Sequence, residues 1–173
     1  MRRLVWLTAL LVCLAVPAAA FAFGSDDGTL SVKSGVGKVY LNFNGSAVGR
    51  VRTGSIRVVD PVTSDGVGFE FSNCDVVVDK SDTTTNTNDK IKVCRGDNIR
   101  FRAIGGNYRI QIAGAGVNLS AVGHGSFSLN GAGDADPFNP STFDGTYSLN
   151  DGPYKSLPNA FTTFALATPP SGP

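Results

Sequence analysis

Apolar and polar positions alternate along this chain in short runs, and no stretch repeats at a helical interval. Leu30 and Val32 flank Ser31, Ile56 and Val58 flank Arg57, Phe127 and Leu129 flank Ser128, and Tyr147 and Leu149 flank Ser148. A period of two is the mark of a strand with one buried face. Each run follows a glycine and a Ser or Thr: "DGTLSVKS" from Asp27, "TGSIRVVD" from Thr53, "HGSFSLNG" from His124 and "DGTYSLND" from Asp144. The glycine is expected to fill a turn position that needs a permissive backbone. The copies begin 26, 71 and 20 residues apart. A solenoid keeps a fixed period, so the pattern reads as a duplicated strand motif. A wider echo agrees: "YLNFNGSAV" followed by "TGSIRV" resembles "YRIQIAGAGV" followed by "HGSFSL", each reading strand, glycine corner, strand, glycine, strand.

The run "NIRFRAIGGNYRIQI" predicts a hairpin on a two-residue Gly105-Gly106 turn. That turn would set Ala103 against Tyr108, Phe101 against Ile110 and Ile99 against Ile112, all on one side. A second hairpin is expected in "CDVVVDKSDTTTNTNDKIKVC", with a mobile polar tip around residues 81–88. Further strands are expected near residues 38–44, 47–52, 67–72 and 116–121. Residues 131–142, broken by Pro137 and Pro140, read as a long loop. About ten short strands in one domain predict an all-β fold, an antiparallel β-sandwich, with a small β-barrel or an irregular β-solenoid as alternatives.

Composition sharpens this picture. The chain has 173 residues, room for one ordinary domain with a core. Its 21 glycines, and Asp outnumbering Glu thirteen to one, favour turns over helices. Arg2 and Arg3, an apolar run and the small residues Ala18, Ala20 and Ala22 read as a secretory signal peptide over residues 1–22, cut after Ala20 or Ala22. The apolar run is too short for a comfortable membrane span. Val12 stands where lipidation of Cys13 would need a small residue. Residues 23–167 then form the domain, and residues 168–173 ("TPPSGP" begins at the same place) a disordered proline-rich tail. The expected location is outside the cell or in the cell envelope, with no membrane span in the mature form. Of three cysteines, Cys74 and Cys94 remain after processing, and an even pair in an oxidising compartment predicts one disulfide.

The segment "IGGNYRIQIAGAGVNLSAVGHGSFSLNG", residues 104–131, resembles a stretch found in small secreted all-β proteins of actinobacteria. The resemblance implies secretion and an all-β fold. It implies no reaction, cofactor or catalytic residue.

Candidate chemistry is sparse. A net charge of +1 gives no global attraction to nucleic acid or membrane. A Ser-His-Asp triad would need His124, the one histidine, which fills the slot of Asp27, Thr53 and Asp144 in the sister copies. It reads as an exposed turn residue. A secreted hydrolase working through loop aspartates is the alternative function, although no spacing singles out two of them. Asp134, Asp136 and Asn139 crowd oxygen atoms into one loop and are weak calcium candidates. Arg95-Gly96-Asp97 is a short adhesion-type motif that chance explains. Asn44 and Asn118 fit the N-glycosylation pattern, which matters only in a source that glycosylates. Trp6, the one tryptophan, lies in the leader, which counts against a tryptophan-built sugar platform, though Tyr40, Tyr108, Tyr147 and Tyr154 remain. The arginines stand out. Arg100, Arg102 and Arg109 would share the outer face of the Gly105-Gly106 hairpin, with Arg102 opposite Arg109, and Arg50, Arg52 and Arg57 lie on the corresponding strands of the first half. A solvated basic face that discourages edge pairing explains them plainly. The functional expectation is a non-enzymatic secreted or envelope protein, needing no cofactor, that binds an anionic cell-wall polymer or an envelope protein through Arg100, Arg102 and Arg109.

Overall fold

The computed structural model describes residues 26–61, 68–82, 89–132 and 144–167. Eight strands cover most of them: β1 Gly28–Asp60, β2 Phe69–Ser72, β3 Val76–Asp82, β4 Asp89–Ala103, β5 Asn107–Gly131, β6 Thr146–Leu149, β7 Lys155–Ser156 and β8 Thr162–Leu166. All pairings are antiparallel, and the described residues contain no helix. The expected all-β class holds. The expected leader, most of the expected hairpin tip (residues 83–88), the expected loop with Asp134, Asp136 and Asn139, and the expected tail lie outside the described residues.

The count falls below ten because separate strands fuse. The 33 residues of β1 and the 25 of β5 each run as one ladder that turns sharply at glycines. Residues 37–44 of β1 lie between residues 107–114 and 124–131 of β5, while residues 28–35 and 45–50 of β1 flank residues 117–123 of β5. One sheet is thereby folded on itself into two layers without closing into a barrel. The first layer runs β3, β4 up to residue 97, β1 53–60, β5 107–114, β1 37–44, β5 124–131 and β8. The second runs β7, β6, β1 28–35, β5 117–123, β1 45–51, β4 99–103 and β2.

Glycine makes the corners. Gly45 faces Gly123, and Gly54 faces Gly114. A Cβ on any of the four would be driven into backbone of the opposing strand: Val122 O for Gly45, Asn44 O for Gly123, Ala113 O for Gly54 and Thr53 O for Gly114. The motif glycines are therefore not in tight turns as the alternation suggested. Gly54 lies inside β1 and Gly125 inside β5, at bends that carry the strand between layers, while Gly28 opens β1 and Gly145 precedes β6. The echo between halves has a structural counterpart. The corners stand nine residues apart in each half (45 and 54, 114 and 123), and the first corner of one half meets the second corner of the other.

The alternating apolar residues of both layers form one core. Leu30, Val32, Ile56, Val58, Phe127, Leu129 and Tyr147 are buried, and Leu149 is partly buried against them. The Tyr108 phenol donates to the carbonyls of Gly68 and Ile104, both at 3.3 Å, which satisfies its buried hydroxyl.

The Gly105-Gly106 hairpin is corrected. Both glycines have positive φ, 56° and 89°, as a primed turn requires, but β4 and β5 do not pair. Phe101 lies beside Gly49 and Phe71, and Ile110 beside Leu41 and Val58. β1 sits between the two strands, and it grips the turn directly: Gly105 N donates to Ser46 Oγ at 3.0 Å, and Gly45 N donates to Gly106 O at 2.9 Å. Ile99, Phe101, Ala103, Tyr108, Ile110 and Ile112 are all buried as expected. Alternation identifies the face that enters the core, and it is blind to whether two such faces are ladder neighbours or look at each other across the core.

The β3–β4 hairpin forms, from Val76 opposite Arg95 to Asp82 opposite Asp89. Cys74, just before β3, is bonded to Cys94, with Cα atoms 5.4 Å apart. Such a bond accords with an oxidising compartment, and no helix among the described residues is long and apolar enough to cross a membrane.

Candidate functional site

The outer face of the second layer collects the polar side chains of six strand segments. One row across it reads Ser148, Ser31, Ser120, Val48, Arg102 and Glu70, each the ladder partner of the next. The neighbouring row carries Asn118, Arg50, Arg100 and Ser72. The row order follows from the period of two, since Leu30, Val32, Ala47, Leu119, Ile99 and Phe101 take the inward positions.

This register rearranges the arginine cluster. Arg102 does not face Arg109; its partners are Val48 and Glu70. Arg109 lies in the other layer, between Asn42 and Val59, beside a hollow of about 170 Å³ that Tyr40, Gln111 and Ser126 also line. Arg100 and Arg102 stay together over a shallow hollow of about 150 Å³ shared with Glu70 and Ser72. The residue that joins them is Arg50, directly opposite Arg100. Its Nη2 donates to Asn98 Oδ1 at 2.6 Å. Asn98 sits at a bend where the β1–β4 register skips a residue, with φ at 54°, and Asn73 Nδ2 donates to its carbonyl at 3.1 Å. A braced bend thus holds one arginine in place. Asn is among the side chains that tolerate the left-handed region best.

The opposite end of the same face is a groove of about 350 Å³ between the serine row and the β6–β7 connection. Leu149 O accepts from Gly152 N at 2.8 Å, and Asn150 and Asp151 between them have φ of 49° and 55°, the signature of a primed turn. Asn150 fixes that turn to β1: its N donates to Thr29 O, its Oδ1 accepts from Thr29 N, both at 2.9 Å, and its Nδ2 donates to Ala167 O at 3.0 Å. Beyond the turn, the Tyr154 hydroxyl lies 3.0 Å from Ser31 Oγ, and the Lys33 ammonium sits 4.0 Å from the Tyr154 ring centre. Hydrogen bonding from Lys33, then from Ser31, lowers the Tyr154 phenol from its ordinary value. The sequence held one sign of this groove: two of its serines, Ser31 and Ser148, fill the same slot in two motif copies, whereas Ser120 belongs to none and the equivalent Ser128 lies in the other layer.

His124 lies beside the Gly123 corner in β5, exposed, with Nδ1 3.1 Å from Asp27 Oδ1. Two residues that fill the same slot in different motif copies therefore meet and tie the start of β1 to that corner. No group of three or more His, Cys, Asp or Glu suited to a metal occurs among the described residues. The described aspartates are spread over different elements and connections, with Asp60 and Asp144 buried and Asp75, Asp97 and Asp151 exposed. Comparison with known proteins adds no relative: no family model, no curated protein and no solved structure matches this chain.

Proposed function

We propose that this is a non-enzymatic protein of the cell envelope or exterior that binds an anionic cell-wall polymer through Arg50 and Arg100, with Arg102 beside them offset by the facing Glu70. The observation that carries the reading is the pairing of Arg50 with Arg100 across the ladder. Like charges directly opposite one another cost stability. Among the described residues no carboxylate makes an ion pair with either of them. Their ladder neighbours are Asn118 and Ser72, which carry no charge to offset them. Planar guanidinium groups set side by side suit phosphate or carboxylate, which each can grip with two parallel hydrogen bonds. A flat, open face suits a polymer that lies across the strands. The disulfide fits an oxidising exterior.

The test measures binding to a phosphate-rich wall polymer and to a neutral one, at low and high salt, with Arg50→Ala/Arg100→Ala alongside. Wild type should prefer the phosphate-rich polymer and lose it as salt screens the exposed charges. Equal binding by the double variant overturns the assignment. Arg100→Gln should also bind more weakly while gaining a few tenths of a kcal/mol in stability at low salt, because it relieves the facing pair.

A further inference from the structure

We propose that the groove lined by Ser31, Ser120, Ser148, Asp151 and Tyr154 binds a neutral saccharide. It stands apart from the arginine pair on the same face and does not depend on that reading. Its volume of about 350 Å³ falls at the small end of the roughly 300–1,000 Å³ typical of ligand sites.

The chemistry of the lining selects the ligand. Ser148, Ser31 and Ser120 are successive ladder partners on three adjacent strands, so their hydroxyls stand in a row at the strand spacing of about 4.8 Å. Each hydroxyl can donate and accept. Ser148 is buried and its Oγ donates to Gly152 O at 2.6 Å, so it closes the row, and Ser31 and Ser120 are the hydroxyls open to a ligand. At one end Asp151 presents an exposed carboxylate, an acceptor for hydroxyl donors. It holds φ at 55°, where glycine would be the cheapest residue, and three hydrogen bonds of Asn150 keep its turn in place. Such a rigid mount avoids ordering a loop on binding. Tyr154, 44% exposed, adds a ring and a hydroxyl that Ser31 and Lys33 orient.

Other ligand classes fit less well. Among the described residues, the aliphatic side chains of the lining are Leu30 and Val122, set against three serines, a threonine and a carboxylate. An anion would meet Asp151, and the nearby ammonium of Lys33 is engaged with the Tyr154 ring. Among the described lining residues a metal ion would find one carboxylate, Asp151. A compound bearing many hydroxyls and no charge matches a row of hydroxyls closed by a carboxylate and a tyrosine.

The experiment titrates the full secreted protein with a panel of neutral disaccharides (cellobiose, maltose and chitobiose) and follows backbone and side-chain NMR shifts. At least one sugar should give saturable shifts centred on Ser31, Ser120, Asp151 and Tyr154. Asp151→Asn and Tyr154→Ala should each weaken that sugar about tenfold or more, since a site built to pair hydroxyls suffers when a partner is lost. Their thermal midpoints should stay near wild type, because both side chains are exposed. Arg50→Ala/Arg100→Ala should leave the sugar affinity unchanged. No saturable shift with any sugar of the panel overturns the proposal, as do shifts centred elsewhere or equal affinity in the Asp151→Asn and Tyr154→Ala variants.

Discussion

Gly45 and Gly123 lie directly opposite each other, and each one's missing side chain is the space that the other's strand occupies. A Cβ on Gly45 would enter the Val122 carbonyl oxygen, and one on Gly123 would enter the Asn44 carbonyl oxygen. The obstacle is backbone in both cases, so no rotamer change relieves it. Gly45→Ala and Gly123→Ala should each destabilise the protein by more than about 1–3 kcal/mol, the usual cost of one strained backbone position. Gly68 provides the control, because a Cβ there meets nothing within 4 Å. Gly68→Ala should stay within about 0.5 kcal/mol of wild type. Urea unfolding of the three variants checks this, and an unperturbed Gly45→Ala would mean that the corner is looser than described.

The disulfide closes a loop of modest size, with 20 residues of separation between Cys74 and Cys94. Replacing both by Ala should lower stability by at most about 3 kcal/mol in the chain-entropy account. Cys94 is fully buried in the core, so part of any loss will be packing. Comparing denaturant midpoints of the double variant with those of reduced wild type separates the two: reduction removes the covalent link but keeps both sulfur atoms. A double variant as stable as oxidised wild type would show that the bond contributes nothing.

Tyr154 gives a pH signature with a definite sign. Hydrogen bonding from Lys33 and Ser31 lowers its phenol from the ordinary value, so the folded state favours the phenolate. A depressed acid contributes stability above its unfolded value of about 10, and that contribution is lost as pH falls through the folded value. At neutral pH the ionisation therefore adds nothing to stability. An ultraviolet titration of the folded protein should show Tyr154 ionising below its ordinary value, and Tyr154→Phe should remove that step. Lys33→Met should move the step upward. A titration curve unchanged by Tyr154→Phe would count against the arrangement of Lys33, Ser31 and Tyr154.

The all-β class, the inward faces of β1, β4 and β5 and the Cys74–Cys94 bond were legible locally. Alternation of apolar and polar residues needs only neighbours two positions apart, and Leu30, Ile56, Ile110 and Phe127 are buried as that rule requires. The disulfide was legible because two cysteines remain once the segment read as a leader, with Cys13, is set aside. Which strands lie side by side was decided by tertiary structure. Phe101 and Ile110 satisfy the alternation equally well as hairpin partners or as neighbours across a core, and the chain chose the second because β1 inserts between β4 and β5 and hydrogen-bonds to Gly105 and Gly106. The candidate sites followed that choice. A hairpin would have set Arg102 against Arg109, whereas the observed register sends Arg109 to the other layer and brings Arg50 to Arg100. The serine row arose the same way, because Ser31, Ser120 and Ser148 come from separate stretches that become adjacent only when β5 and β6 flank the first segment of β1. Local sequence fixes which way a side chain points. Its neighbours on the sheet surface depend on long-range register, which no short run of residues encodes.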